Sequence, residues 1–359
     1  MDFRLTDEQT ALREGARQLL TAECSPELVR KRYDDITAVP STLAKALHAQ
    51  DWLGLLAPEA DGGLGLGVVE LCLVLEEAGR ALAPVPLWST AGLYVPMVLA
   101  CADDAQRSEL LRAVCHDGAL GTAAVAEDDG RWLPTATSTT SDGATVSGTK
   151  RLVPEAESAS TILVTAAGPE GPGVYAVDRE HVECHYTETV DRSRALHAVT
   201  FRNAPALRLA GSDIRRALDV AAVSLAAETL GAARWMLDTT VEYAKVREQF
   251  GVPIGSFQAV QHKCADDLLD LERAWAATYW AAMCLDARDA DAPRAAAIAK
   301  ATACDAARHI AKDGIQLHGG IGYTWEHDLH LYIRRVYAAE GLLGSAEEHR
   351  ARLADLLAL

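Results

Sequence analysis

The sequence predicts an α+β protein in three parts: an N-terminal all-α domain, a middle antiparallel β domain, and a C-terminal four-helix bundle. Three observations lead there. Apolar residues recur at helical spacing over the first and last stretches of the chain. Between them the period falls to two, in short runs rich in β-branched and aromatic residues. No long helix interrupts those runs, so the middle reads as an antiparallel barrel or sandwich and not as a parallel doubly wound sheet. The expected domains are 1–112, 113–210 and 211–359.

Taken in order, "LTDEQTALREGARQLLTAE" opens a helix with Thr6 as N-cap, and Gln9 completes a capping box. "WLGLLAPEADGGLGLGVVELCLVLEEAGRALAPVPL" reads as a helix end, a glycine-rich loop and a helix stopped by Pro84 and Pro86. That loop has no P-loop lysine and follows no strand, so a tight turn is expected. "GATVSGTKRLV", "STILVTAA", "GVYAVD", "VECHYTETV" and "ALHAVTF" are the strands, parted by Gly, Pro, Asp and Ser clusters. Asp213 can cap a helix running to about Lys245, with Ile214, Leu218, Ala222, Leu225, Ala232, Met236 and Tyr243 as its inner stripe. "FQAVQHKCADDLLDLERAWAATYWAAMCLDA" follows, then "PRAAAIAKATACDAARHIAKDGIQLHG" with Pro293 at a helix start. "HDLHLYIRRVYAAEGLLGSAEEHRARLADLLAL" is the last of four helices with short links, which is a bundle pattern.

At 359 residues and 49% hydrophobic, the chain has ample material for a packed core. Its net charge of -17 repels phosphate backbones and anionic lipid, so neither nucleic acid nor membrane is expected as a partner. The start, "MDFRLTDEQT", has no apolar core of the kind a signal peptide needs, and no uncharged apolar run approaches a membrane span. Eight cysteines without a CxxC suit a reduced, cytoplasmic protein that uses thiols as small core residues. His181, Cys184 and His185 lack a fourth ligand, and a period-two stretch splits them between faces, so no metal is expected.

Two motifs break the bundle's periodicity: "VREQFGVPIGSFQ" and "QLHGGIGYTWE". Glycine pairs allow close approach of a ligand. Arg247 offers a planar fork suited to a phosphate oxygen pair. Phe250 can pack on a ring, and Gln258 and Gln316 carry the donors and acceptors that an adenine edge or ribose needs. Alone, each motif has a plainer explanation: a solvated helix-end cation, and a C-cap at Gly319-Gly320. As the pair "RxxFGxPIxxFQ" and "QxxGGxGYTxE", they resemble the acyl-CoA dehydrogenase family. "PEADGGLGLGVVELCLVLEEAGR" resembles its N-terminal domain and "SGTK" its middle domain. The resemblance spans nearly the whole chain. It implies a β-barrel middle domain and a tetramer with FAD between subunits. It assigns Arg247, Phe250, Gln258, Gln316, His318, Gly319 and Gly320 to the adenosine-diphosphate half of a cofactor whose flavin ring sits in the neighbouring subunit. The implied reaction is α,β-desaturation of an acyl-CoA thioester, with an electron-transferring flavoprotein as acceptor.

The chain departs from that family where the chemistry lies. A glutamate is needed to take the α-proton. The resemblance places it at Leu343, or in some members at Ala221, and neither is an acid. Glu340, about one helical turn before Leu343, is the fallback base. The family's "TEPGAGSD" corresponds to "AVAEDDGRW" here, and its "TKxWITN" to "TKRLVPE". The residues that hold a flavin ring are therefore missing, while those that hold the adenine half for a neighbour are kept. The resulting expectation is the non-catalytic, smaller subunit of a heterotetrameric acyl-CoA dehydrogenase of the kind found in actinobacterial sterol degradation. The alternatives are a self-sufficient homotetramer using Glu340, a flavin monooxygenase on the same fold, and a cofactor-free scaffold or acyl-CoA-binding protein.

Overall fold

The computed structural model describes residues 3–37, 39–132 and 137–358. The chain divides into two compact units, each built from separated stretches. One contains Glu27–Leu71 and Pro84–Ser224; the other contains the residues up to Pro26, Cys72–Ala83, and everything from Leu225 on.

The sheet lies wholly within the first of these. Its strands are β1 (Gly121–Ala124), β2 (Thr140–Ser141), β3 (Thr145–Pro154), β4 (Thr161–Gly168), β5 (Gly171–Asp178), β6 (Val182–Thr187), β7 (Leu196–Pro205) and β8 (Leu207–Arg208). The order is β6-β7-β3-β2-β4-β5-β8, with β1 also on β4. β6 and β8 are its edges, so the sheet is open and does not close into a full barrel. Pairing is antiparallel except where β1 and β2 meet β4 in parallel. β1 follows the helix Asp104–Asp117 and not a hairpin, so no tight turn forces it to run against its neighbour. Val146, Ile162, Val164, Tyr175, Val199 and Phe201 form the core on one face. Cys184 packs on that core while His185 is exposed, so the period-two split of these residues holds. His181 lies on the surface beside Asp178 and Glu180.

The other unit is helical, and of the helix Ile214–Val246 it contains the part from Leu225 on. The capping box of Thr6 and Gln9 starts the helix Asp7–Glu23. Ile214–Val246, Gln258–Asp286 and Ala292–His318 follow the expected spans closely. All of the expected inner stripe of Ile214–Val246 is buried except Tyr243, which is half-buried. This helix is apolar enough by composition to cross a membrane, but 89% of its most apolar window is buried inside the protein, as befits a core helix. The expected fourth helix is two, Leu329–Glu340 and Ala346–Leu356. Leu343 (φ 59°) and Gly344 (φ 98°) leave helical geometry, and Ser345 starts a new capping box with Glu348. All eight cysteines are free, and six are buried.

The helix Val68–Arg80 crosses Ile214–Val246 at two glycines. A Cβ on Gly79 would lie 1.8 Å from the carbonyl oxygen of Glu228, and one on Gly231 would lie 1.8 Å from that of Glu76. Only hydrogen fits at either place. Arg335 then donates to Glu228 at 3.1 Å, with both side chains buried. Substituting Gly231→Ala therefore forces two backbones apart. The expected cost is about 3 kcal/mol or more, near the upper end for overpacking. An unchanged urea midpoint would show that the crossing yields.

Candidate functional site

The two motifs meet at one end of the helical unit. Helix Ile214–Val246 ends one residue before Arg247, whose backbone N–H still donates to the Tyr243 carbonyl at 2.9 Å. Glu248–Gln249 and Val252–Pro253 then pair as a two-residue hairpin. Its central residues, Phe250 (φ 56°) and Gly251 (φ 81°), both take left-handed geometry, as a type I′ turn requires. Such geometry strains a bulky side chain, and Phe250 is 94% exposed, touching Phe257 edge-on at 6.2 Å between centroids. A strained, exposed phenylalanine is a mark of function more than of packing. Gln258 starts the next helix, with its side chain in solvent.

The second motif closes helix Ala292–His318. Gly319 has φ 64° and ψ -142°, a conformation that is essentially glycine's alone. A Cβ on Gly319 or Gly320 would meet nothing within 4 Å, so the backbone there is open to a ligand. Gln316 is exposed. His318 is not: it is 4% exposed, and its Nδ1 donates to the Gly314 carbonyl at 2.9 Å. Its ring stacks on Tyr243 with centroids 4.4 Å apart and planes 19° apart. Burial pushes its pKa down, so the ring is neutral. The Arg247 guanidinium is exposed and makes no ion pair among the described residues. An unpaired arginine fork, exposed amides and open glycine backbone together fit the pyrophosphate and adenosine of a dinucleotide.

The sheet-bearing unit holds a buried ion pair. Glu127, from "AVAEDDGRW", is buried and pairs with the fully buried Lys150 of "SGTK". Lys150 also donates to the Thr165 hydroxyl at 2.9 Å and the Val125 carbonyl at 3.1 Å. Ser138 and Thr137 donate to Glu127. Burial opposes the charged carboxylate, but the hydrogen bonds from Lys150, Thr137 and Ser138 outweigh it and hold its pKa below the usual range. Farther along "TKRLVPE", Leu152 and Glu155 both have positive φ, and Glu155 is buried against Arg32 at 2.8 Å. Glu155 is thereby held in an internal ion pair. Sequence reasoning missed the Glu127–Lys150 pair. The acid that directly follows the apolar run "GTAAVA" was the available signal.

The expected base positions are both apolar and buried. Ala221 is 0% exposed, and its carbonyl accepts from the Trp88 indole at 3.2 Å. The Arg194 guanidinium lies 4.9 Å from the centre of that indole. Leu343 is 7% exposed, and its carbonyl accepts from His349 Nε2 at 2.9 Å. Burial keeps His349 neutral, with its pKa down to about 4. Glu340 is held by Arg308 at 3.2 Å, and its carbonyl lies 3.4 Å from Lys300 Nζ. Glu228, two turns on from Ala221, is committed to Arg335.

An exposed arginine and an open glycine backbone at one end of a helical unit fit a class of nucleotide-binding proteins. Comparison makes the class specific. Residues 212–358 match the acyl-CoA dehydrogenase C-terminal domain, and residues 6–117 match the N-terminal domain. Acyl-CoA dehydrogenase IpdE2 of Mycobacterium tuberculosis is 31% identical over 97% of this chain and 96% of its own. Acyl-CoA dehydrogenase FadE34 of the same organism is 40% identical over 84% of this chain, which spans only 40% of FadE34's length. Among solved structures, a variant of the Tcur3481-Tcur3483 steroid ACAD is 36% identical, with a TM-score of 0.90 over 98% of both chains. The ChsE4-ChsE5 complex from Mycobacterium tuberculosis is 27% identical, with a TM-score of 0.92 over 100% of this chain and 99% of that one. The chain belongs to the acyl-CoA dehydrogenase family.

Breaking the buried Glu127–Lys150 pair leaves one charge unpaired. Glu127→Gln and Lys150→Met are each expected to cost about 3–5 kcal/mol in urea unfolding. Because the folded pKa of Glu127 lies below its unfolded value, the pair stabilises fully above the ordinary carboxylate range. That contribution disappears as pH falls through the folded value. Acid unfolding that is the same in Glu127→Gln as in the wild type would refute the role.

Proposed function

We propose that this chain is a non-catalytic subunit of a heteromeric, FAD-dependent acyl-CoA dehydrogenase. It completes the adenosine-diphosphate half of the cofactor site for a catalytic partner subunit. One contrast carries the reading. The motif residues Arg247, Phe250, Gln258, Gln316, Gly319 and Gly320 are exposed, whereas both base positions, Leu343 and Ala221, are buried and apolar. The two-component names of the Tcur3481-Tcur3483 steroid ACAD and the ChsE4-ChsE5 complex support a mixed assembly, and the first supports a steroid-derived or other bulky acyl-CoA as substrate.

When bound, FAD supplies the hydride acceptor for α,β-desaturation. This chain's share is binding and orientation. Arg247 neutralises pyrophosphate charge through a two-point contact, and the open Gly319-Gly320 backbone lets the nucleotide approach closely. Gln258 and Gln316 offer amide donors and acceptors to the adenosine. His318 lies beneath this surface and supports it. Proton abstraction falls to the partner, because no acid of this chain stands at either base position. An electron-transferring flavoprotein is the proposed acceptor.

Arg247→Ala is expected to lower FAD occupancy of the mixed complex about tenfold or more, the scale of a lost charge-assisted contact, without unfolding this chain. Unchanged occupancy would remove the cofactor role. Glu340→Gln is expected to leave kcat unchanged. A fall of about a hundredfold or more, the scale of general base catalysis, would make Glu340 the base and the chain self-sufficient.

A further inference from the structure

We infer that Tyr243, through its stack on His318, is the positioning residue that holds the two cofactor motifs in register, and that ordered half-site geometry depends on this ring pair. The inference rests on the half-site reading above. Arg247 and Gly319 are distant in sequence and leave different helices, Ile214–Val246 and Ala292–His318. Each helix carries an aromatic ring at its motif: Tyr243 lies four residues ahead of Arg247, and His318, within the second motif, lies one residue ahead of Gly319. The rings stack at 4.4 Å and 19°.

Each ring is tied to its motif by hydrogen bonds. The Tyr243 carbonyl accepts the Arg247 N–H at 2.9 Å, and the Arg247 carbonyl accepts the Ile254 N–H at 2.7 Å, closing the hairpin. Since a carbonyl only accepts, the bond from His318 Nδ1 to Gly314 fixes the proton on Nδ1. Nε2 is then a bare acceptor, buried and without a partner among the described residues. Leaving such an atom unsatisfied costs stability. The Nδ1 bond to Gly314 sets the ring orientation, and the same ring plane stacks on Tyr243. His327 packs edge-on against the other part of the ring at 4.7 Å. Away from this stack, the motif backbone is open at Gly251, Gly319 and Gly320. A rigid anchor behind loops with few contacts of their own is how a half-site is preorganised.

The test is calorimetric titration of the full-length chain with ADP, with melting temperature measured on the same samples. Wild type binds ADP. Tyr243→Leu removes the aromatic face and is expected to bind about three- to tenfold more weakly, the scale of one aromatic pair. Tyr243→Phe keeps the face and restores wild-type affinity. If Tyr243→Leu does not fold, His318→Leu breaks the stack from the other side. Wild-type affinity in a folded Tyr243→Leu or His318→Leu chain overturns the inference while Arg247→Ala still weakens binding. Binding that Arg247→Ala also leaves unchanged, or no ADP binding by wild type, overturns the half-site reading and this inference with it. Equal weakening in Tyr243→Phe and Tyr243→Leu overturns the stacking role, because the phenol hydroxyl would then be what matters.

Discussion

The helical unit depends on two backbones that touch. Gly79 and Gly231 let Val68–Arg80 lie against Ile214–Val246 with no side chain between them. Once that contact is made, neighbouring groups lock onto it. Arg17 grips Glu77 with two hydrogen bonds of 3.0 and 2.6 Å, and Tyr332 donates to the Arg80 carbonyl at 2.9 Å. Tyr279 and Trp275 both donate to Glu76, at 2.7 and 3.2 Å. The long helix is thereby fixed in rotation and in height, and so is the point at which it ends. Arg247 stands where it does because Gly231, more than four turns earlier, has no side chain.

The handling of charge separates the chain's closed regions from its open one. Buried ions are costly unless paired and hydrogen-bonded. Glu127–Lys150, Arg32–Glu155 and Glu228–Arg335 meet that condition within their own units. Arg247 does not: it is left in solvent and makes no ion pair among the described residues, on a chain with a net charge of -17. A lone cation kept against such a field is suited to an anion from outside.

Much of this was legible in the sequence. The Thr6 capping box, the inner stripe of Ile214–Val246 and the strands follow from local rules and are present, but β1, β4, β5 and β7 carry continuous buried runs and do not alternate. The break at Leu343 was hidden, because a leucine gives no signal that its φ is positive and Gly344 alone suggests a cap at most. The parallel placement of β1 was hidden too, since pairing direction depends on the path of the chain and not on alternation. Glu127 finding Lys150, and Tyr243 finding His318, are contacts between residues far apart in sequence. Tyr243 read as one more apolar stripe residue, and only the fold reveals which ring it faces.

The measurement that bears most directly on the half-site is FAD content per chain, for this protein purified alone and for it co-purified with a catalytic acyl-CoA dehydrogenase chain. Little flavin in the first, and one FAD per pair of unlike chains in the second, is the expected result. One FAD per chain in an assembly of this protein alone would contradict it.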